Sequence, residues 1–386
     1  MIKKILLITI IACFIPLTFS SQSQYAIPSN KPYRIILDDK FNASLFVGSL
    51  GEVDVSFNMF SRYIYLTSPQ CSNCIIYSQN DQKAFTCNKN ENCAMTLENV
   101  SEDVSGFKAT GDYINLPIIL NGTPFTFNDV FYVKQISELK KSQNYVYQGI
   151  GLQLDEESTS SFIHELKEQG IIEDVSYSLY YEYIEGYKGN YLLTIGSYDV
   201  RLLSRQFYNL MTLPTLPTQK KEYDRIKATA SFSGQEIQIF GSYVILDPTV
   251  ENFVLSYSYF NEMKNIMEKY TMLPDLSPFT QKNPGLWQKF DKYLNFQISF
   301  SLDDPDQIST TLDVEFSAKE FTIKNERGQY TLDVTFVDAD DSFIRVGKKI
   351  FKKMMYYKRV SQTDKKVFRS LAPLKESKQL LRQEKY

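Results

Sequence analysis

Two short stretches hold the residues best placed to do chemistry. In the first, Glu52 to Ser68, Val53, Val55 and Phe57 alternate with polar residues, the run breaks at Asn58-Met59-Phe60-Ser61, and a second apolar run covers Tyr63 to Thr67. In the second, the apolar residues Tyr243 to Leu246 deliver Asp247, followed by Pro248-Thr249. A period-two run that stops at a break reads as a strand feeding a loop. One loop therefore offers an amide and the other a carboxylate. A carboxylate can take a proton from water, whereas an amide can only hydrogen-bond it. The single histidine, His164, falls in a helical pattern with no cysteine or serine placed beside it by any motif. It is predicted to be solvated rather than catalytic.

Around these loops the chain carries the marks of an exported protein. Residues 1–20 have Lys3 and Lys4, an apolar run from Ile5 to Thr18 and a small-residue cleavage site at Thr18-Phe19-Ser20, which predicts a secretory signal peptide. The apolar run is short for a bilayer anchor, and no later segment predicts a transmembrane span. Secretion, or delivery to a lytic compartment of the secretory pathway, follows. Beyond Cys13 in the leader there are four cysteines, Cys71, Cys74, Cys87 and Cys93. An even number in an oxidising compartment predicts two disulfides, with three connectivities open. The spacing of the second pair argues against a zinc site, and neither a metal nor a cofactor is expected. Asn42, Asn99 and Asn121 stand in N-x-S/T sequons, which marks them as surface-loop glycosylation candidates. The abundance of Tyr and Phe, 27 each, tilts the chain towards sheet.

The order of these stretches, rather than any one of them, resembles the pepsin-like aspartic protease family, over about residues 31 to 372. That family carries Asp-Thr-Gly on each of two strand-fed loops. Asn58, Met59 and Phe60 stand at the first set of positions, and Asp247, Pro248 and Thr249 at the second. Gln148 to Leu152 resembles the Gly-hydrophobic-hydrophobic-Gly-Leu segment beneath the first loop, one residue short. Asp341-Ser342-Phe343-Ile344-Arg345 resembles the closing Gly-Asp-x-Phe-Ile/Leu-Arg segment, with Asp340 in place of the Gly. Val104 to Ile114 falls where the family has a flap hairpin, with Val104 or Ser105 at the flap tyrosine's position. Tyr113 is predicted to be a packing residue on the other limb.

The resemblance implies a mainly β, two-lobed fold with a central cleft and a few short helices. The N-terminal lobe would cover residues 31–186, the C-terminal lobe 187–372, and a basic tail 373–386. Peptide hydrolysis in the family needs two carboxylates close enough to share a proton. Asn58 removes one of them. Asp247 is then vestigial, and Met59 and Pro248 cannot reproduce the hydrogen bonds by which the family's Thr residues lock the loops together. Asp54 alternates onto the solvent face of its strand and does not replace the lost acid. The reading is a secreted, inactive peptidase-domain protein that binds a peptide or protein segment, with affinity set by Asp247 and Phe60. Against it stand a filled cleft that binds nothing and an aspartic endopeptidase with an atypical active site.

Charge suggests a third reading. Arg345 to Tyr386 carries 14 Lys and Arg against three acids, a net of +11 in a chain of net −3, leaving −14 for the residues before it. Most of this run is predicted to lie on exposed faces of the last strands, partly neutralised by the protein's own acids. The sharper alternative is a salt-sensitive contact with an anionic surface or partner through Lys348, Lys349, Lys352 and Lys353. A slightly acidic exported chain with no reader motif is not expected to bind nucleic acid.

Overall fold

The computed structural model describes residues 32–47, 52–72, 93–104, 107–120, 122–139, 148–154, 162–182, 190–199, 202–203, 211–213, 224–239, 241–270, 294–301, 311–361, 363 and 365–374. In chain order the first elements are β1 (Tyr33–Leu37), β2 (Asn42–Val47), β3 (Glu52–Asn58), β4 (Ile64–Ser72), β5 (Ala94–Val104), β6 (Phe107–Leu120), β7 (Thr123–Leu139), β8 (Gly149–Gly151), α1 (Phe162–Glu168), β9 (Ser176–Glu182) and β10 (Asn190–Ile195). Then come β11 (Met211–Thr212), β12 (Ile226–Phe232), β13 (Gln235–Ile237), β14 (Tyr243–Leu246), β15 (Phe253–Ser256), α2 (Tyr257–Tyr270), β16 (Asn295–Ser301), β17 (Thr311–Ser317), α3 (Ala318–Phe321) and β18 (Thr322–Lys324). The last are β19 (Tyr330–Leu332), β20 (Val334–Val337), β21 (Phe343–Val346), α4 (Lys348–Phe351), β22 (Met354–Val360) and β23 (Val367–Pro373). The protein is mainly β.

Three larger sheets organise it. A seven-stranded sheet runs β2-β3-β8-β4-β7-β6-β5, with β2 also meeting β6; an eight-stranded sheet contains β17-β16-β12-β14-β21-β15-β20, with β13 on β12; a six-stranded sheet runs β1-β10-β9-β22-β23-β11. Strict alternation of buried and exposed residues in β12, β16 and β17 gives one apolar face each. Strand β14 is buried throughout, so its run of apolar residues has to be continuous.

One substructure occurs twice. Strand β3 pairs parallel with β8, β8 antiparallel with β4, and β4 parallel with β7. Strand β14 pairs parallel with β21, β21 antiparallel with β15, and β15 parallel with β20. In both, a loop leaves the first strand and passes a glycine at the end of the strand beside it. A Cβ on Gly151 would lie 2.2 Å from the Ser61 carbonyl oxygen, and one on Gly347 would lie 1.7 Å from that of Val250. No side chain fits at either place, so the glycine requirement is one of contact and not of backbone conformation.

The structure corrects several expectations. Asp341 to Arg345 lead into and form most of β21, and the glycine whose contact with the second loop admits no side chain is Gly347, just after that strand. Residues 318–321 form α3, because Ser317 and Glu320 make a capping box: Glu320 Oε2 accepts from Ser317 N at 2.8 Å. Asn42 lies on a strand and not in a loop; its side-chain amide donates to Asp38 and its oxygen accepts from Ser56 Oγ. His164 is half-buried rather than solvated, and burial lowers its pKa. Asn99 is exposed on β5 at a positive φ of 56°, while Asn121 lies outside the described residues. Cys71 and Cys93 are disulfide-bonded; Cys74 and Cys87 lie outside the described residues, as do residues 1–31, the tail after Leu374 and Ser105. Among the described residues no helix is long and apolar enough to cross a membrane.

Candidate functional site

The two loops are built alike, atom by atom. After β3, Asn58 Oδ1 accepts from the Phe60 N–H at 2.8 Å and the Asn58 carbonyl accepts from Ser61 N at 3.4 Å. After β14, Asp247 Oδ1 accepts from the Thr249 N–H at 3.0 Å and the Asp247 carbonyl accepts from Val250 N at 3.1 Å. The same turn is thus closed by an amide in one case and a carboxylate in the other. The first loop is tied to the residue after β8 by Leu152 N donating to Asn58 O at 2.8 Å, and the second to the start of α4 by Lys348 N donating to Val250 O at 2.8 Å.

Asp247 is 3% exposed. Besides the backbone contact, the Thr249 hydroxyl donates to Oδ1 at 2.6 Å, and Arg345 Nη1 on β21 lies 3.6 Å from Oδ2. Burial pushes its pKa up, outweighing the pull of Arg345 and Thr249 towards the anion. Among the described residues its side-chain partners are thus a cation and a hydroxyl. No acid is among them. Asp54 is exposed on β3 and accepts from Ser44 Oγ at 2.6 Å, so it takes no part in this site.

The loops meet through their hydrophobic residues. Phe60, half-buried, packs against the cluster of Tyr243, Ile245 and Phe343, whose strands β14 and β21 hold Asp247 and Arg345. Met59 and Ser61 are buried in the first loop, Pro248 in the second, and Thr249 is exposed. Tyr191 on β10 links both sides. Its hydroxyl donates to Pro248 O at 3.2 Å, while its ring stands edge-on to Phe41 at 5.3 Å, and Phe41 O accepts from Phe57 N next to Asn58. Neither the Arg345 partnership nor the Tyr191 bridge was predicted; the nearest sequence signal was Arg345 itself, in the segment taken for the closing motif.

Strands β5 and β6 form the predicted hairpin, with Val104 opposite Phe107 at its tip and Thr110-Gly111 on the return limb. Val104 is fully buried, packed with Phe107, Ala109, Tyr63, Tyr65, Phe131 and Val133. The Tyr113 ring rests on Phe131 at 5.4 Å, the packing role expected of it. Its hydroxyl also donates to Glu102 Oε1 at 2.7 Å, and Tyr63 donates to Glu102 Oε2 at 2.8 Å.

Among the described residues, six cations of the basic run meet acids within the fold. Lys348, 6% exposed, reaches Glu251 at 2.5 Å; Lys349 reaches Asp333 at 2.6 Å and Lys353 reaches Glu320 at 2.8 Å. Lys352 lies 4.8 Å from the centre of the Tyr181 ring. Lys358 and Arg369 both meet Asp224. The expectation that these cations lie on exposed faces is corrected for Lys348 and Lys358, which are buried. Among the described residues no group of three or more His, Cys, Asp or Glu could hold a metal ion. No protein-family model matches the chain, and no curated protein matches it either.

Proposed function

We propose that this is a two-lobed, pepsin-like protein that has lost peptide hydrolysis and binds an extended peptide or protein segment between its lobes. The carrying observation is the pair of similar loops in which Asn58 closes one turn and Asp247 closes the other in the same way. The twofold β3-β8-β4-β7 and β14-β21-β15-β20 arrangement, with a six-stranded sheet besides, supports the two-lobed reading. Loss of hydrolysis follows from proton accounting. Asn58 cannot accept a proton from water, and Asp247 is matched by Arg345 rather than by a second carboxylate with which to share one.

Strand edges and apolar residues beside the loops suit an extended segment without any cleavage chemistry. Phe60 is the internal competitor, because its ring covers the Tyr243, Ile245 and Phe343 surface. Secretion and glycosylation accompany this reading on the evidence of the leader and the sequons.

The test incubates the purified chain and its Asp247→Ala variant with a reduced, alkylated protein between about pH 3 and 7, following both cleavage and binding. Both proteins are expected to leave the substrate intact. The wild type is expected to bind it, and Phe60→Ala to bind it more tightly. Turnover by the wild type that Asp247→Ala lacks would make the chain an enzyme. Absence of binding in both wild type and Phe60→Ala would leave a filled scaffold.

A further inference from the structure

Around the two loops, cations are matched with acids: Arg345 with Asp247, Arg225 with Asp341, Lys348 with Glu251 and Lys349 with Asp333. Arg62 is different. It is exposed, it directly follows the first loop, and among the described residues it forms no ion pair. Its Nη2 instead donates to the Tyr63 phenol at 2.6 Å, with the guanidinium carbon 4.9 Å from that ring's centre. Tyr63 passes its own hydrogen to Glu102, whose second oxygen is taken by Tyr113. Glu102 is thus bonded to Arg62 through a phenol, while its charge acts on the guanidinium without a direct ion pair.

We propose that Arg62 is the recognition point for a carboxylate on the bound segment, so that the site prefers acidic peptides; this rests on the peptide-binding reading. A guanidinium presents a fork of donors that a carboxylate fills with two parallel hydrogen bonds, which one phenol oxygen cannot do. The exposed position lets a ligand reach it without unfolding anything. The hairpin senses the exchange. Glu102 on β5 and Tyr113 on β6 hold the hairpin to Tyr63, and the same face packs Val104, Phe107 and Ala109 into a cluster separate from the main core. Drawing Arg62 away from Tyr63 removes one donor from that chain and alters the hold on residues 94–113.

The probes are two blocked short peptides, identical except that alternate positions are all Glu in one and all Gln in the other. They are titrated calorimetrically into the full chain, Arg62→Gln and Arg62→Lys. The Glu peptide is expected to bind the wild type about fivefold more tightly than the Gln peptide, the upper range for an exposed ion pair, with the advantage shrinking as salt is added. Arg62→Gln is expected to erase the difference, and Arg62→Lys to restore part of it. Amide exchange across residues 94–113 is expected to change with the Glu peptide in the wild type and not in Arg62→Gln. Equal affinity of the wild type for both peptides overturns the role of Arg62 and leaves the peptide-binding reading standing. Binding of neither peptide to the wild type overturns both.

Discussion

Asp247 shows how a buried carboxylate is held by a hydroxyl and a cation. Its carboxylate is held by Thr249 and faced by Arg345, so its charge is balanced inside the second substructure. Removing the cation leaves a buried acid with one fewer partner. Arg345→Met is therefore expected to cost about 1–3 kcal/mol of stability, and much less in an Asp247→Asn background; denaturant unfolding of the four proteins in a double-mutant cycle checks it. Glu165 on α1 makes a separate case. Burial pushes its carboxyl up to about 8, against the Asn128 N–H that donates to Oε2 at 2.9 Å. A carboxyl whose folded pKa is raised binds its proton more tightly when folded, so its stabilisation is complete below the ordinary carboxylate value and is lost as pH rises through about 8. Thermal unfolding followed from about pH 5 to 8 is expected to show the melting temperature falling in the wild type. Glu165→Gln, which keeps an acceptor without the titration, is expected to flatten that slope.

Between strands, the glycines mark where the two substructures are tightest. Gly151→Ala or Gly347→Ala drives a methyl group into backbone that is itself held by hydrogen bonds. Each is expected to cost about 2–4 kcal/mol in denaturant titrations, whereas Gly234→Ala, whose Cβ would meet nothing within 4 Å but whose φ is +76°, costs about 1 kcal/mol from backbone strain alone. The same scale explains what could be read from sequence. Alternation in Val53, Val55 and Phe57, and the apolar run before Asp247, located both loops, because a strand with one buried face must write its period into the chain. Gly151 was legible beside Leu152. Gly347 had no such signal, because its need for a bare Cα comes from the Val250 carbonyl, far away in sequence. The start of helix α3 is written locally, in Ser317 and Glu320 at capping-box spacing. Phe60 meeting Tyr243 and Phe343 had no local signal at all.

Across the whole molecule, charges that look segregated along the chain are interleaved in the fold. The basic C-terminal stretch returns to acids far back in sequence, and Asp224 is the main junction. It lies two residues before β12 of the eight-stranded sheet, while Lys358 on β22 and Arg369 on β23 belong to the six-stranded one; they approach it at 2.8 and 2.6 Å, and Tyr356 donates to it as well. Burial alone would raise the Asp224 carboxyl, but the two cations overcome it and hold the group well below the usual carboxylate range. A depressed folded pKa contributes stability that is present above the ordinary Asp value and is lost as pH falls through the folded one. Asp224→Asn removes the anion from between the buried Lys358 and the half-buried Arg369, so the loss is expected to reach about 3 kcal/mol near neutral pH, and the variant's stability should no longer fall as steeply on acidification. Because the junction joins two sheets, the variant should also expose it in a way a mere surface pair would not. Amide exchange in β22 and β23 is expected to rise well before that of β12 and β16, and equal exchange in both sheets would place the contact outside the bonds that hold them together.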